Sequence, residues 1–361
     1  RLRILELHRR FHELADDNEV YDWLGLNNEG RKAVSSLEND EYPFLHLKDQ
    51  NLVDFVGSDI TKAFVRECKQ GHLSVARWLH SLGADIRADN DRAFRCACYH
   101  GHETIARWLH SLGADIRADK DRAFRWACYS GHETIARWLH SLGTNIHAGN
   151  DFAFRCACEN GHETIARWLH SLGGVNLHTD NDWAFRWACQ YGHETIARWL
   201  HSLGGVDIHA NNDFAFRRAC ENGHETIAHW LYSLGANIHA INDVAFRGAC
   251  ANGHETIAHW LYSIGADIHA DNDFAFRMAC SKRHESIARW LHSLGGVDIH
   301  ANNDWAFRWA CSHGHESIAR WLHSLGGVDI HVNNDFAFRE ACRNGHESIA
   351  RWLRELGCGE D

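Results

Sequence analysis

The sequence predicts an all-α solenoid in which short helix–turn–helix repeats stack on one another, and three observations support this fold class. A Gly-His pair recurs every 30 or 31 residues. Each period contains two short segments with helical apolar spacing. The extra residue of the longer periods enters at one place, where LGAD becomes LGGVD, as expected of a surface connection. We count ten repeats, of which nine carry the glycine and one has Arg283 instead, which we interpret as a tolerated defect.

The first segment of each repeat, D-x-A-F-R-x-A-C-x-x-G, has the pattern of a helix with one buried face. In one copy the apolar residues recur at i, i+1, i+4 and i+5, as Ala93, Phe94, Ala97 and Cys98. The glycine that follows is predicted to be the left-handed stop. The aspartate that precedes is predicted to be the N-cap, at Asp91, Asp121, Asp151, Asp182 and Asp213.

The second segment, H-E-T-I-A-R-W-L-H-S-L-G, predicts another short helix. Its apolar stripe consists of Ile105, Ala106, Trp108, Leu109 and Leu112. Because so short a pair of helices buries its apolar faces only against neighbours, stacking must create the core. The repeated tryptophan is therefore predicted to be a packing residue rather than a ligand platform, at Trp78, Trp108, Trp138, Trp168, Trp199, Trp230, Trp260, Trp290, Trp321 and Trp352.

The composition excludes several classes of protein. Of 361 residues, 45% are apolar and 24% charged, as in globular proteins. The formal charge of −11 argues against a nucleic-acid partner, because phosphate binding needs a clustered basic face. No run of 18 apolar residues is present, so we expect no membrane insertion. The opening RLRILELHRRF also lacks the apolar stretch of a secretory signal peptide.

The thirteen cysteines do not form a disulfide or metal pattern. Most occupy one repeat position, where a thiol acts as a small buried apolar side chain. An odd number of free thiols fits the cytoplasm or another reducing intracellular compartment. The pairs Cys96/Cys98 and Cys156/Cys158 depart from the pattern, but their spacing is not that of a zinc knuckle.

The 31 histidines fall mainly into three repeated positions, represented by His102, His110 and His147. Neighbouring copies could bring imidazoles together, which makes zinc binding or acid sensitivity conceivable. No cysteine or carboxylate completes a recognisable site in the sequence, so we predict no metal ligand and no cofactor. No set of nucleophile, base and orienting residue stands out from the repeat either, so we predict no catalytic residue.

The repeated unit A-F-R-x-A-C-x-x-G-H-E-x-I-A-R-W-L-x-S-L-G-A-D-I-H-A resembles the ankyrin repeat, whose pattern is T-P-L-H-x-A-A-x-x-G-H-x-x-V-V-x-x-L-L-x-x-G-A-D-V-N-A. The likeness covers about residues 61–358 in ten copies. It implies an ankyrin-type helical solenoid of antiparallel helix pairs. It also implies a scaffold that binds one or more partner proteins along its concave face without catalysis.

The sequence departs from the family pattern in ways that carry information. Its repeats have 30 or 31 residues rather than about 33, which predicts shortened hairpin fingers. F-A-F-R or W-A-F-R replaces T-P-L-H, and the one proline of the chain is Pro43. The short unit with NDxAxRxA resembles ankyrin proteins of large DNA viruses of protists. That resemblance implies the host cytoplasm or a virion as the location.

Two domains are expected. Residues 61–361 form the repeat domain, and its C-terminal cap adds Arg354, Glu355, Glu360 and Asp361. Residues 1–60 do not fit the period. Leu2, Ile4, Leu5, Phe11 and Leu14 have a helical pattern there, and EVYDWLGL and RKAVSSL are further helical segments. This region is either a plain N-terminal cap or a separate docking segment, and no F-box pattern matches it.

Candidate binding residues occupy the positions that change between repeats, because the constant positions serve stacking. Three positions vary most: the residue after the aspartate, the residue after AFR, and the pair before the glycine. In an ankyrin-like stack they fall on or near the concave face, where large aromatic side chains suit an interface hot spot. The candidates are Tyr99, Trp126, Tyr129, Trp183, Trp187, Tyr191, Trp305 and Trp309.

The arginine of AFR recurs as a ladder that could steer an acidic partner. We favour a structural role, in which each arginine pairs with aspartates or carbonyls of neighbouring turns. For the whole chain, three functions follow from the resemblance. It is a protein-binding scaffold, a fixed structural subunit of an assembly such as a virion, or a substrate adaptor for a ubiquitin ligase.

Overall fold

The computed structural model describes residues 49–81 and 83–359. The chain divides into two compact units, residues 1–176 and 177–361. The described residues form twenty α-helices in ten consecutive pairs, with no strand among them. No described helix is both long enough and apolar enough to cross a membrane. The predicted all-α fold of stacked helix pairs is confirmed.

The bounds of the helices follow the period of the sequence. The first unit contains α1 (Asp49–Gln70), α2 (Leu73–Ser81), α3 (Ala88–Tyr99), α4 (Glu103–Ser111), α5 (Ala118–Tyr129), α6 (Glu133–Ser141), α7 (Ala148–Glu159) and α8 (Glu163–Ser171). The second unit contains α9 (Thr179–Gln190), α10 (Glu194–Ser202), α11 (Ala210–Glu221), α12 (Glu225–Ser233), α13 (Ala240–Ala251), α14 (Glu255–Ser263), α15 (Ala270–Ser281), α16 (Glu285–Ser293), α17 (Ala301–Ser312), α18 (Glu316–Ser324), α19 (Val332–Arg343) and α20 (Glu347–Glu355).

Helix α1 spans the expected domain boundary between residues 60 and 61. The helical segments expected within residues 1–48, and the predicted cap residues Glu360 and Asp361, lie outside the described residues. The division into a segment 1–60 and a repeat domain 61–361 stays a prediction.

The core of each unit lies between its helix pairs. The first helices of consecutive pairs pack side by side, and each packs against the second helix of its own pair. The predicted buried face of the first helix is confirmed, because Ala93, Phe94, Ala97 and Cys98 are at most 1% exposed. On the second helix Ile105, Ala106 and Leu109 are likewise buried.

The prediction that Leu112 belongs to the apolar stripe is wrong. Its side chain is 37% exposed. Helix α4 ends at Ser111, and Leu112 is the C-cap residue just before Gly113, whose φ is +97°. The stripe therefore ends one turn earlier than the apolar spacing suggests.

The repeated tryptophans of the second helices pack between repeats, which confirms the predicted role. The Trp138 ring makes an edge contact with the Phe94 ring of the preceding repeat, with centroids 6.3 Å apart. The Arg107 guanidinium of the preceding repeat covers it at 4.7 Å from the ring centroid. These rings are mostly half-buried, because the helix pair is thin. The side chain of Trp78 lies outside the described part of the chain.

A left-handed turn lies within the first residues of each first helix from α3 onward, where three consecutive residues have positive φ. In α11 these are Asn211, Asn212 and Asp213, with φ between 55° and 57°. Asparagine and aspartate tolerate this conformation better than other residues with a Cβ atom. The recurring N-N-D and D-N-D sequences therefore serve the turn, a role that the spacing alone did not reveal.

The N-cap prediction for the repeated aspartates is wrong. An N-cap residue has an extended backbone, whereas these aspartates are left-handed. Their carboxylates reach the next repeat instead: the Asp115 backbone N–H donates to Asp91 Oδ1 at 3.1 Å, and the Asn237 N–H donates to Asp213 Oδ1 at 3.1 Å. The same bond recurs from Asp151 and Asp182. The buried Asp121 carboxylate instead lies 3.5 Å from the Arg117 Nε. The aspartates mainly tie consecutive repeats together.

Candidate protein-binding surface

The three variable positions of each repeat lie on one face of the first helix. They are spaced three or four residues apart, as in Trp126 and Tyr129 or in Trp187 and Tyr191, so successive side chains lie one above the other. We call this face the first-helix face. The buried alanines, phenylalanine and cysteine point away from it into the core. Side chains at the variable positions are mostly half-buried and lie at the surface of this face.

The first unit brings Tyr99, Trp126 and Tyr129 together, and we call them the first aromatic cluster. The Tyr99 ring lies 5.3 Å from Trp126 and stacks on Tyr129 at 6.2 Å. The Arg122 guanidinium lies 4.9 Å from the Trp126 ring, within range of a cation–π contact. Tyr129 is 37% exposed. The three predicted residues of this unit thus form one surface.

The second unit contains the second aromatic cluster, which consists of Trp183, Trp187 and Tyr191 along α9 and its last turn. Ring centroids lie 5.3 Å apart for the two tryptophans and 5.7 Å apart for Trp187 and Tyr191. Phe214 of the next repeat lies 5.9 Å from Trp187. Tyr191 is 46% exposed. The buried Trp187 Nε1 has no hydrogen-bond partner among the described residues, so this indole is held by packing alone.

The third aromatic cluster, Trp305 and Trp309 on α17, repeats this arrangement within the second unit. The two rings lie 5.5 Å apart. His313 stacks on Trp309 at 5.2 Å, and Phe336 of the next repeat lies 6.1 Å from the same ring. All eight predicted residues thus fall into three local clusters, whose role as a binding site stays a prediction.

Sequence reasoning missed four ring-bearing members of these clusters: His100, Phe214, His313 and Phe336. Each occupies one of the variable positions, so the signal was present in the sequence. What the sequence did not show is the diagonal contact between repeats, by which the first variable position of one repeat touches the second position of the preceding repeat.

The arginine ladder has the structural role that the sequence favoured. In α11 the Arg217 guanidinium donates to the carbonyl oxygens of Asn212 and Asn211, at 2.7 and 2.9 Å. It thereby closes the left-handed turn of its own repeat. Elsewhere the arginine also stacks on the next repeat, as Arg277 does at 5.4 Å from the Trp305 ring. Trp305 therefore contributes to packing as well as to the surface.

The histidine that follows each glycine forms a second ladder along the inner connections. The Nε2–H of His132 donates to the Tyr99 carbonyl oxygen at 3.0 Å, and His224 donates to Gln190 at 2.9 Å. Burial lowers the pKa of both imidazoles, and the hydrogen bond to the carbonyl partly opposes that shift. His132 and His224 are therefore neutral packing groups at neutral pH.

The cysteines of the first helices are free, and all of them except Cys96 and Cys342 are buried, as predicted for the repeat position. Burial raises the pKa of the Cys156 thiol to about 12 and raises that of Cys128 further. Because the thiolate is the reactive form, these sulfurs act as apolar side chains. Cys342 differs from them, since it is exposed on α19.

The geometry of the first-helix face suits protein recognition. Half-exposed tryptophan and tyrosine rings, held rigid by stacking and flanked by arginine, match the side chains that dominate binding energy at protein interfaces. Rigid rings also lose little conformational entropy when a partner covers them.

Comparison with known proteins agrees with this architecture. A family model described as ankyrin repeats (3 copies) matches residues 64–150, 154–242, 246–334 and 276–361. No curated protein matches the chain. The matches, of which the last two overlap, cover nearly the whole described region in register with the helix pairs. The chain belongs to the ankyrin-repeat family.

Proposed function

We propose that this chain is a non-catalytic scaffold that binds a partner protein on its first-helix face, through the three aromatic clusters. Ankyrin repeats are generally protein-interaction modules, and the matches cover most of the chain.

One observation carries this proposal: the repeat does not require an aromatic side chain at the clustered positions. The position held by Trp126, Trp187 and Trp309 is occupied by Gly248 and Met278 in other repeats of the same chain. Those repeats form the same helix pairs with the same buried alanines and phenylalanine. Stacking of the repeats therefore does not explain three tryptophans at a position that tolerates glycine. Contact with a partner protein would explain them.

The resemblance to short-repeat viral ankyrin proteins suggests two specific versions of this function, a substrate adaptor and a fixed structural subunit. A free adaptor recruits a target, and an adaptor for a ubiquitin ligase needs a recruiting module within residues 1–60. A fixed subunit of an assembly such as a virion needs only the repeat surface. The clusters supply target contact in either form, so the proposal rests on them and not on the choice between forms.

The test compares the clusters with matched exposed aromatic residues elsewhere. Trp126→Met, Trp187→Met and Trp309→Met are combined, because Met278 already occupies this position in another repeat. The control combines Tyr232→His and Tyr262→His, which replace tyrosines of the second helices, 40% and 42% exposed, with the histidine of other repeats. Partner retention is measured by affinity capture from the source cells with quantitative mass spectrometry.

We expect the captured amount of one specific partner to decrease at least about tenfold with the tryptophan variant. Each hot-spot residue that is lost costs about 2 kcal/mol or more of binding free energy. The tyrosine control should retain that partner. Equal retention by both variants would show that the clusters serve packing only. Thermal unfolding of both variants confirms that neither loses partner through loss of fold.

A further inference from the structure

Histidine–aspartate pairs recur at the left-handed turns of seven repeats. In each pair the histidine Nδ1 lies 2.6–2.9 Å from a carboxylate oxygen of the aspartate four residues later. A carboxylate oxygen also accepts the backbone N–H of a residue 24 or 25 positions further along. The pairs are His147/Asp151, His178/Asp182, His209/Asp213, His239/Asp243, His269/Asp273, His300/Asp304 and His331/Asp335.

The last pair differs because a thiol joins it. The Gly359 N–H donates to Asp335 Oδ2 at 2.8 Å, in the place of the bond from the next repeat. The residue before that donor is alanine or valine at the other six pairs, as in Ala236 and Val328, but here it is Cys358. Cys358 is fully buried. The sequence thus places sulfur at one of seven otherwise similar sites.

The three side chains converge on one point. Ligand atoms of His331, Asp335 and Cys358 all lie within 4.8 Å of one another. The His331 side chain is 57% exposed and that of Asp335 23% exposed, whereas the sulfur lies beneath them. The site is therefore open to solvent at the imidazole and the carboxylate, whereas Cys358 closes it on the buried side.

Imidazole nitrogen, carboxylate oxygen and thiolate sulfur are the ligand types of zinc in proteins. Zinc bonds of about 2.0–2.3 Å place tetrahedral ligands roughly 3.3–3.8 Å apart, so closing this triad changes the distances between ligand atoms by at most about 1.5 Å. The hydrogen bond between His331 and Asp335, 2.7 Å long, would open to admit the ion. The thiol would release its proton to solvent.

We propose that His331, Asp335 and Cys358 bind one Zn²⁺ ion, with a water molecule as the fourth ligand. This differs from the expectation of no metal ligand, which rested on residue spacing. The three ligands lie between positions 331 and 358, and only stacking of the residues after α20 on the preceding turn brings them together. The ion would tie those residues to the turn before α19, a structural role.

The test uses the full chain, purified with chelator and then titrated with Co²⁺ as a spectroscopic substitute for Zn²⁺. We expect one Co²⁺ per chain, with a thiolate-to-cobalt charge-transfer band that Zn²⁺ displaces. Cys358→Ala should abolish the band, and this variant should fold because alanine holds the position in other repeats. His331→Asn should raise the dissociation constant at least about tenfold, since loss of even an outer-shell partner costs 10–100-fold.

Two control variants test whether the charge-transfer band comes from this site. Cys342→Ser removes the exposed thiol of α19 and should leave the band unchanged. His300→Asn breaks a matched pair without a thiol and should also leave it unchanged. The proposal fails if wild-type protein gives no charge-transfer band, or if the band survives Cys358→Ala.

Discussion

At the scale of the residue, two separate requirements favour glycine in the Gly-His pairs: a positive φ and a close approach of the next repeat. Gly131 has a φ of +81°, a conformation that favours glycine. A Cβ atom there would also lie 2.6 Å from the His162 ring of the next repeat. Gly143, at the end of the second helix, has a φ of +90° but no atom within 4 Å of the Cβ position. Comparing Gly131 with Gly143 therefore distinguishes the effect of backbone strain from the effect of packing.

Gly131→Ala should therefore destabilise the protein more than Gly143→Ala. The left-handed backbone costs each variant roughly 1–2 kcal/mol. Gly131→Ala also displaces the His162 ring, and overpacking costs about 1–3 kcal/mol more. Urea unfolding followed by circular dichroism measures the difference. Equal unfolding free energies for the two variants would refute the selective role of the histidine contact.

At the scale of the element, the left-handed turn before each first helix depends on its residue types. Eight of the nine turns begin with aspartate, asparagine or glycine, whereas the turn of α13 begins with Ile241 at φ 54°. A β-branched residue in this conformation is a genuine outlier. The Ile241 side chain is 50% exposed, so little packing compensates for the strain.

Ile241→Asn should stabilise the protein by about 1 kcal/mol, because asparagine holds this position in other repeats and tolerates the left-handed conformation. Asn211→Asp, at the matching position of α11, should change the unfolding free energy by only a few tenths of a kcal/mol. The measurement is the midpoint and slope of urea unfolding. A lower midpoint for Ile241→Asn would mean that the isoleucine is held for packing.

The sequence predicted the helix pairs and their buried faces because each repeat encodes them locally. The positions of Ala93 and Phe94 follow from helical spacing alone. The role of the aspartates did not, because Asp91 accepts from a residue of the next repeat, and such contacts are absent from any single period. The candidate clusters were predicted by variation between repeats, but the contact of Phe214 with Trp187 required the stacked structure.

At the scale of the whole molecule, four histidines of the ladder with a lowered pKa make the stability depend on pH. Burial lowers the pKa of His132, His224, His284 and His315. Between those lowered values and the ordinary value of about 6.5, the unfolded chain binds more protons than the folded one. Stability is therefore fully present above the ordinary value and decreases as pH falls through it.

We expect the urea unfolding midpoint to decrease from about pH 8 to about pH 6, a range above the ordinary pKa of carboxylates. His224→Gln, which removes one titrating group, should reduce this pH dependence. A midpoint that is constant or increases over this range would contradict the assignment of neutral, buried imidazoles.

We propose that the aromatic clusters of the first-helix face contact a partner. Site-specific photo-cross-linking tests it most directly, with a benzophenone amino acid placed at position 129 or 191 and, as controls, at position 232 or 262. We expect the same partner to cross-link from both cluster positions and from neither control, and excess unlabelled wild-type protein to compete it away. Cross-linking only from the control positions, or equally from all four, would show that the clusters are not the specific contact surface.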